Sequence, residues 1–366
     1  MQRTRPPFRA DHVGSLLRPA SIHEARAQRV KGAITAEALK AVEDREIERV
    51  IRRQEEVGLK SITDGEFRRS WWHLDFLWGL DGVEKYVMNT GISFAATQTR
   101  AEGARVVDKV GFTSHPMIEH FRFVKEKTKQ TPKITIPAPS ALYGRTGRQA
   151  VPESVYPDLN VFWKDLGDAY SKAVRAFYDA GCRYLQLDEV FIAMLCDEKY
   201  VAAAKARGDD PHRIAATYGD LINAAMAGAP ADMTITMHLC RGNYKSTFMG
   251  SGGYEPVAEV LFDRIKVHGY FMEYDSDRAG GFEPLRRVPK DRTVVLGLLT
   301  TKTGELESKD ALKRRIEEAS KFVPLEQLCL SGQCGFASTE EGNTLTESEQ
   351  WKKMERIVEV AGEVWG

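Results

Sequence analysis

No apolar run in the sequence approaches the roughly 20 residues needed to cross a bilayer as a helix. The opening Met1-Gln2-Arg3-Thr4-Arg5-Pro6-Pro7 lacks the apolar core of a secretory signal. Net charge is missing too, since 52 Lys and Arg offset 52 Asp and Glu. No global field attracts nucleic acid or an anionic membrane, and neither is expected as a partner. Cysteine is scarce. The five present (Cys182, Cys196, Cys240, Cys329, Cys334) are too few and too odd for a disulfide framework in 366 residues. A reducing, cytoplasmic setting is expected, with thiols buried or bound to metal. Several catalytic fingerprints are absent as well. There is no G-x-x-x-x-G-K-[ST] phosphate loop and no G-x-S-x-G nucleophile elbow. Gly250-Ser251-Gly252-Gly253 lacks the strand–turn–helix setting of a dinucleotide fingerprint.

What remains is an ordinary globular composition, 42% hydrophobic and 28% charged. Short apolar runs alternate with longer amphipathic segments. Strands are expected at Ala10–Ser15, Leu59–Asp64, Lys133–Pro137, Tyr184–Asp188, Thr234–Cys240, Gly269–Tyr274, Thr293–Thr300 and Gln327–Leu330. Helical periodicity runs from Ala36 to Val57 between an N-cap Thr35 and a closing Gly58. It recurs over Leu159–Ala180, Ala193–Ala227, Ser308–Phe322 and Glu347–Val364. Eight strands with intervening helices imply an α/β fold, a single (β/α)8 TIM barrel over residues 1–366. The stretch Asp81–Pro116 does not fit a βα unit. Its alternating pieces, Ile92–Thr99 and Ala104–Phe112, read as a β-hairpin inserted between strands two and three.

The strongest chemical signal is His238-Leu239-Cys240, at the end of the fifth expected strand. Alternation puts His238 and Cys240 on one face with Thr234 and Thr236, opposite Ile235, Met237 and Leu239. Taken alone, H-x-C equally describes a buried thiol beside a hydrogen-bonded histidine. Glu273 lies near the end of the sixth strand, and Cys334 follows the eighth in Ser331-Gly332-Gln333-Cys334-Gly335. Barrel active sites gather at the carboxyl ends of strands, so all four residues could meet at one mouth. One nitrogen, two sulfurs and a carboxylate oxygen make a sensible zinc set. The same end collects Ser15, Asp64, Glu66 and Asp188. Carboxylates there could hold an ammonium group, or form salt bridges with Arg68, Arg69 or Arg241. Trp71, Trp72 and Trp78 are read as core or subunit interface rather than as a ligand platform.

These residues give the chain its likeness to known proteins. It resembles the cobalamin-independent methionine synthase family, in particular short single-barrel members similar to the catalytic C-terminal half of the full-length enzyme. The motifs run H-V-G-S-L-L-R-P (His12–Pro19), T-D-G-E-F-R-R (Thr63–Arg69), Y-L-Q-L-D-E (Tyr184–Glu189), M-H-L-C-R-G-N (Met237–Asn243), E-Y-D-S-D-R (Glu273–Arg278) and Q-C-G-F-A-S (Gln333–Ser338). The resemblance implies that His238, Cys240 and Cys334 hold zinc, with Glu273 as a fourth, exchangeable ligand. It also places Ser15, Glu66 and Asp188 around the amino-acid end of homocysteine. The chain departs from the full-length enzyme in three ways. The N-terminal barrel that helps to form the folate site is absent. Thr300-Thr301-Lys302-Thr303-Gly304 has no counterpart of the catalytic histidine, and Val190 replaces a proline.

The expected chemistry is alkylation of a thiol. A free alkyl thiol is mostly protonated at neutral pH, whereas the thiolate is the nucleophile. Zinc resolves this by holding sulfur as thiolate, here on displacement of the catalytic ligand Glu273. Homocysteine is the expected acceptor, with a methylated folate or methylcorrinoid as donor. Two alternatives remain open: a zinc-thiolate enzyme acting on coenzyme M to open epoxides, and a non-enzymatic zinc-binding protein. There is room for a homo-oligomer or for a partner protein that delivers the donor.

Overall fold

The computed structural model describes residues 1–94 and 97–366. Seven strands form one parallel sheet, each bonded to the next in chain order. They are β1 (Ser61–Ile62), β2 (Thr131–Pro137), β3 (Tyr184–Glu189), β4 (Thr234–Leu239), β5 (Gly269–Glu273), β6 (Thr293–Leu299) and β7 (Leu328–Gly332). Alternation along these strands separates two interiors. Ile134, Ile136, Leu185, Leu187, Ile235 and Met237 face the helices and join the main hydrophobic core. The opposite face carries Lys133, Gln186 and Thr236, beside a small apolar cluster of Val13, Phe271, Val295 and Cys329.

The segment expected as the first strand, Ala10–Ser15, is not a strand of this sheet. It makes one parallel bridge, Ala10 to Leu330 of β7, and the Leu16 N–H donates to Gly65 O just beyond β1 (3.0 Å). One short segment thus touches both edges, so the sheet is curled. Side chains from inside take its carbonyls in place of a ladder. Lys133 Nζ donates to His12 O, Gln186 Nε2 to Val13 O (2.9 Å) and Thr63 Oγ1 to Gly14 O (2.7 Å).

The hairpin expectation also changes. Glu102–Gly111 pairs antiparallel with Asp81–Val87, and Ser93–Phe94 pairs with Thr97–Gln98. Among the described residues, the pieces Ile92–Thr99 and Ala104–Phe112 do not pair with each other; residues 95 and 96 of the first lie outside the described residues. Register follows burial, because Val83 opposes Val106 on the covered face.

Helix Ala36–Val57 is capped by Thr35, whose side chain accepts the Ala38 N–H, and ends at Gly58 with φ 97°. The helical stretch expected over Ala193–Ala227 breaks into Phe191–Met194, Glu198–Ala206 and Pro211–Met226. Asp197 and Asp210 each cap a new helix, and Pro211 cannot continue the preceding one. Helices Ala20–Val30, Leu74–Leu77 and Met117–Lys127 lie outside the stretches that periodicity marks. Glu347–Trp365 begins with a capping box between Thr346 and Glu349.

Adjacent acids on β3 go opposite ways. Asp188 points into the curl, while Glu189 is buried on the helix side, accepting from Ser140 Oγ (2.5 Å) and the Ile192 N–H (2.8 Å). Burial outweighs these bonds and raises Glu189 to about 7. A raised acid favours the native state below its unfolded value of 4.5, and that contribution is lost as pH rises through about 7. Glu189→Gln should therefore gain on wild type between about pH 5 and about pH 8, by up to about 3 kcal/mol. Urea midpoints across that range check this, and parallel profiles would contradict it.

Candidate metal centre

β4 ends by placing His238 inside, with Cys240 just beyond it. β5 ends with Glu273, and the turn after β7 carries Cys334. Parallel register sets the neighbours: His238 lies opposite Asp188 on one side and Phe271 on the other. The ligand atoms of His238, Cys240, Glu273 and Cys334 all lie within 4.8 Å of one another, and all four residues are buried. The two sulfurs are 3.8 Å apart, and His238 Nε2 is 3.9 Å from Glu273 Oε1. The structure thus brings the four expected ligands together.

Among the described residues, neither ring nitrogen of His238 has a hydrogen-bond partner, although the side chain is 1% exposed. A buried imidazole with both nitrogens unmatched is costly unless a cation is bound there. The two cysteines are free. A hydrogen bond between the sulfurs lowers Cys334 and, with burial, raises Cys240. Burial alone would lower His238, yet Cys334, Asp188 and Glu273 outweigh it and raise the imidazole to about 9. A crowded set of acids around one histidine wants positive charge. These residues could hold a metal ion.

Outer groups fix the ligands. Glu273 Oε1 accepts the Arg241 N–H (3.1 Å), and Oε2 accepts from Arg278 (2.6 Å), which also bonds Asp275 (2.9 Å). Arg278 had no role in the sequence reading, although it closes the E-Y-D-S-D-R motif. Spacing gave no sign that it turns back onto Glu273.

Ser15, Glu66 and Asp188 line one cavity of about 310 Å³ together with Cys240 and Cys334. Asp188 Oδ1 accepts from Gln186 (2.9 Å), and burial raises its carboxyl to about 7. Glu66 is ion-paired with Arg69, one of the salt bridges considered for it, whereas Arg68 turns away to Glu43 and Asp44. Glu66 sits at φ 60°, unusual for a non-glycine, and its N–H is held by Asp64 (2.7 Å). Two glycines make room. A Cβ on Gly14 would lie 2.6 Å from Glu66 Oε1, and one on Gly335 would lie 2.0 Å from Ser15 Oγ. The rest of the lining is largely apolar. Trp71, read as core or interface, is buried in the core and also lines this cavity, as does Trp72, which packs with Val190, Met194, Phe191 and Met249 around the two thiols. Two adjacent tryptophans beside T-D-G-E-F-R-R were the available signal.

Residues 8–363 match the family model described as "Cobalamin-independent synthase, Catalytic domain". The chain belongs to the cobalamin-independent methionine synthase family. Within it, the chain is 50% identical to the uncharacterized protein YxjH of Bacillus subtilis (strain 168), over 100% of this chain and 96% of that one. A crystal structure from Listeria monocytogenes, described as a candidate vitamin-B12-independent methionine synthase, superposes with TM-score 0.81 at 43% identity, covering 100% of both chains. The fold is shared with a B12-independent methionine synthase from Shewanella sp. W3-18-1 in complex with selenomethionine. That match has TM-score 0.72 at 17% identity and covers 96% of each chain. Family membership makes this chain a methyltransferase of α/β fold. Among the described residues no helix is long and apolar enough to cross a membrane.

Proposed function

We propose that the protein is a zinc-dependent thiol S-methyltransferase that methylates homocysteine to methionine. The donor is 5-methyltetrahydrofolate, its polyglutamate, or a methylcorrinoid. One observation carries this reading: both cysteines of the ligand group line the cavity that Ser15, Glu66 and Asp188 also line. A thiol and an amino-acid head can therefore be held at once. The selenomethionine bound by the Shewanella protein is consistent with an amino-acid pocket of this kind.

His238, Cys240, Cys334 and Glu273 would hold the zinc, a donor set typical of that ion. When bound, zinc supplies a Lewis acid that keeps a substrate sulfur ionised and nucleophilic at neutral pH. The other groups bind and orient. Asp188 keeps a carboxylate oxygen for the substrate ammonium, Glu66 adds negative charge behind it, and Ser15 helps to place the substrate carboxylate. The apolar collar of Trp72, Phe191, Met194 and Met249 excludes water from the path of the methyl group. In this reading Ala10–Ser15 closes the curled sheet as the eighth stave of a (β/α)8 barrel, with residues 1–366 as one domain. The antiparallel pair is then an insertion on it.

The test is methionine formation by zinc-loaded protein from homocysteine, with mono- and polyglutamyl methyltetrahydrofolate and methylcobalamin compared as donors. Asp188→Asn should raise the KM for homocysteine at least about tenfold, since a charged partner of the ammonium is lost. Failure of every donor, with another thiol methylated instead, would overturn the assignment of the acceptor.

A further inference from the structure

Lys302, in the loop after β6, is 8% exposed. Among the described residues its Nζ has one hydrogen-bond partner, the neutral Asn243 Oδ1 at 3.4 Å, and no carboxylate within salt-bridge reach. Buried ammonium groups are ordinarily paired, because desolvation of a lone charge is expensive. The same protein pairs its other buried lysines: Lys133 with Asp11, and Lys353 with Glu307.

The loop is held rigidly. Thr301 donates to Gln333 Oε1 through its N–H (2.6 Å) and its hydroxyl (2.9 Å), which ties it to the residue before Cys334. Asn243 Nδ2 donates to Gly335 O (2.8 Å), so the one partner of Lys302 is itself fixed to the residue after Cys334. Asn243 Nδ2 also reaches Ser338 Oγ (3.2 Å), which lies 3.9 Å from Cys334 Sγ, so the ammonium is seated against the turn that carries this ligand. Arg278 contacts Glu273, but its charge is shared with Asp275.

We propose that Lys302 is a positioning residue, the countercharge that makes the metal group electrically neutral. This rests on the zinc reading above. Two thiolates and one carboxylate around a divalent ion, with a neutral imidazole, leave a single negative charge. One buried ammonium cancels it. The partner that the buried Lys302 ammonium lacks is then the loaded site itself.

The test uses Lys302→Met, Lys302→Gln and Lys302→Arg in the full chain, with zinc affinity read by competition against a chromophoric chelator. Lys302→Met and Lys302→Gln should bind zinc about tenfold to a hundredfold more weakly, as expected for loss of one nearby charge. Lys302→Arg should stay within about threefold of wild type. The metal-free Lys302→Met protein should melt no lower than metal-free wild type, because removing an unpaired buried charge relieves a penalty. Lower affinity with undiminished apo stability separates a countercharge from a packing role. Zinc binding by both neutral variants within about threefold of wild type would overturn the proposal. If wild type itself fails to bind zinc, the metal reading falls first, and the wild-type titration shows which of the two has failed.

Discussion

Cys334→Ser and Cys240→Ser should each lose zinc and methyl transfer together, with turnover down at least about a thousandfold. Each cysteine offers one of four ligand atoms gathered within 4.8 Å, and serine replaces a soft thiolate by an alcohol that stays protonated at neutral pH. Both thiols sit at the rim of the sheet in a small cluster with Val190 and Met194, apart from the main core. The variants should therefore keep wild-type circular dichroism. Cys196→Ser, a buried thiol outside the ligand group, should keep its metal and serves as the control. Wild-type turnover by a zinc-free Cys334→Ser protein would defeat the mechanism.

The second large effect lies at the other end of the curl. Asp11 is fully buried and accepts from five groups: the N–H groups of Phe8 (3.0 Å) and His12 (2.8 Å), Ser61 Oγ (2.7 Å), Tyr184 OH (2.9 Å) and Lys133 Nζ (3.4 Å). It fastens the Ala10–Ser15 segment to β1, β2 and β3 at once. Asp11→Ala strands the Lys133 ammonium beside the rings of Tyr184 and Phe271, 4.8 and 4.3 Å away. A broken buried pair costs about 3–5 kcal/mol, and the unmatched hydroxyls and amides add to that. Lys133→Met should cost much less, since Asp11 keeps its other four donors. Urea unfolding of the two variants checks the asymmetry. Equal destabilisation would mean that Asp11 is no hub.

Where pattern and chemistry coincided, the sequence was legible. Alternation in Thr234–Cys240 placed His238 and Cys240 on one face, and apolar runs located all seven strands of the sheet. Convergence of Glu273 and Cys334 on that pair followed from the rule that strand ends share a rim. Legibility failed where side chains replaced backbone partners. Ala10–Ser15 looks like a strand, but Lys133, Thr135, Gln186 and Thr63 occupy its carbonyls. It failed again where local capping overrode periodicity, as at Asp197 and Asp210. The antiparallel pairing of Asp81–Val87 depended on burial of Val83 against Val106, which no local spacing announces. Arg278 and Lys302 act on the site through folding of loops, so residue type alone could not single them out.

X-ray absorption at the zinc edge, on protein purified with its metal and then mixed with homocysteine, tests the central claim most directly. The expected resting shell is two sulfurs, one imidazole nitrogen and one oxygen, from Cys240, Cys334, His238 and Glu273. On adding homocysteine, a third sulfur should enter as the oxygen leaves. A shell that holds fewer than two sulfurs at rest, or one that homocysteine leaves unchanged, would contradict it.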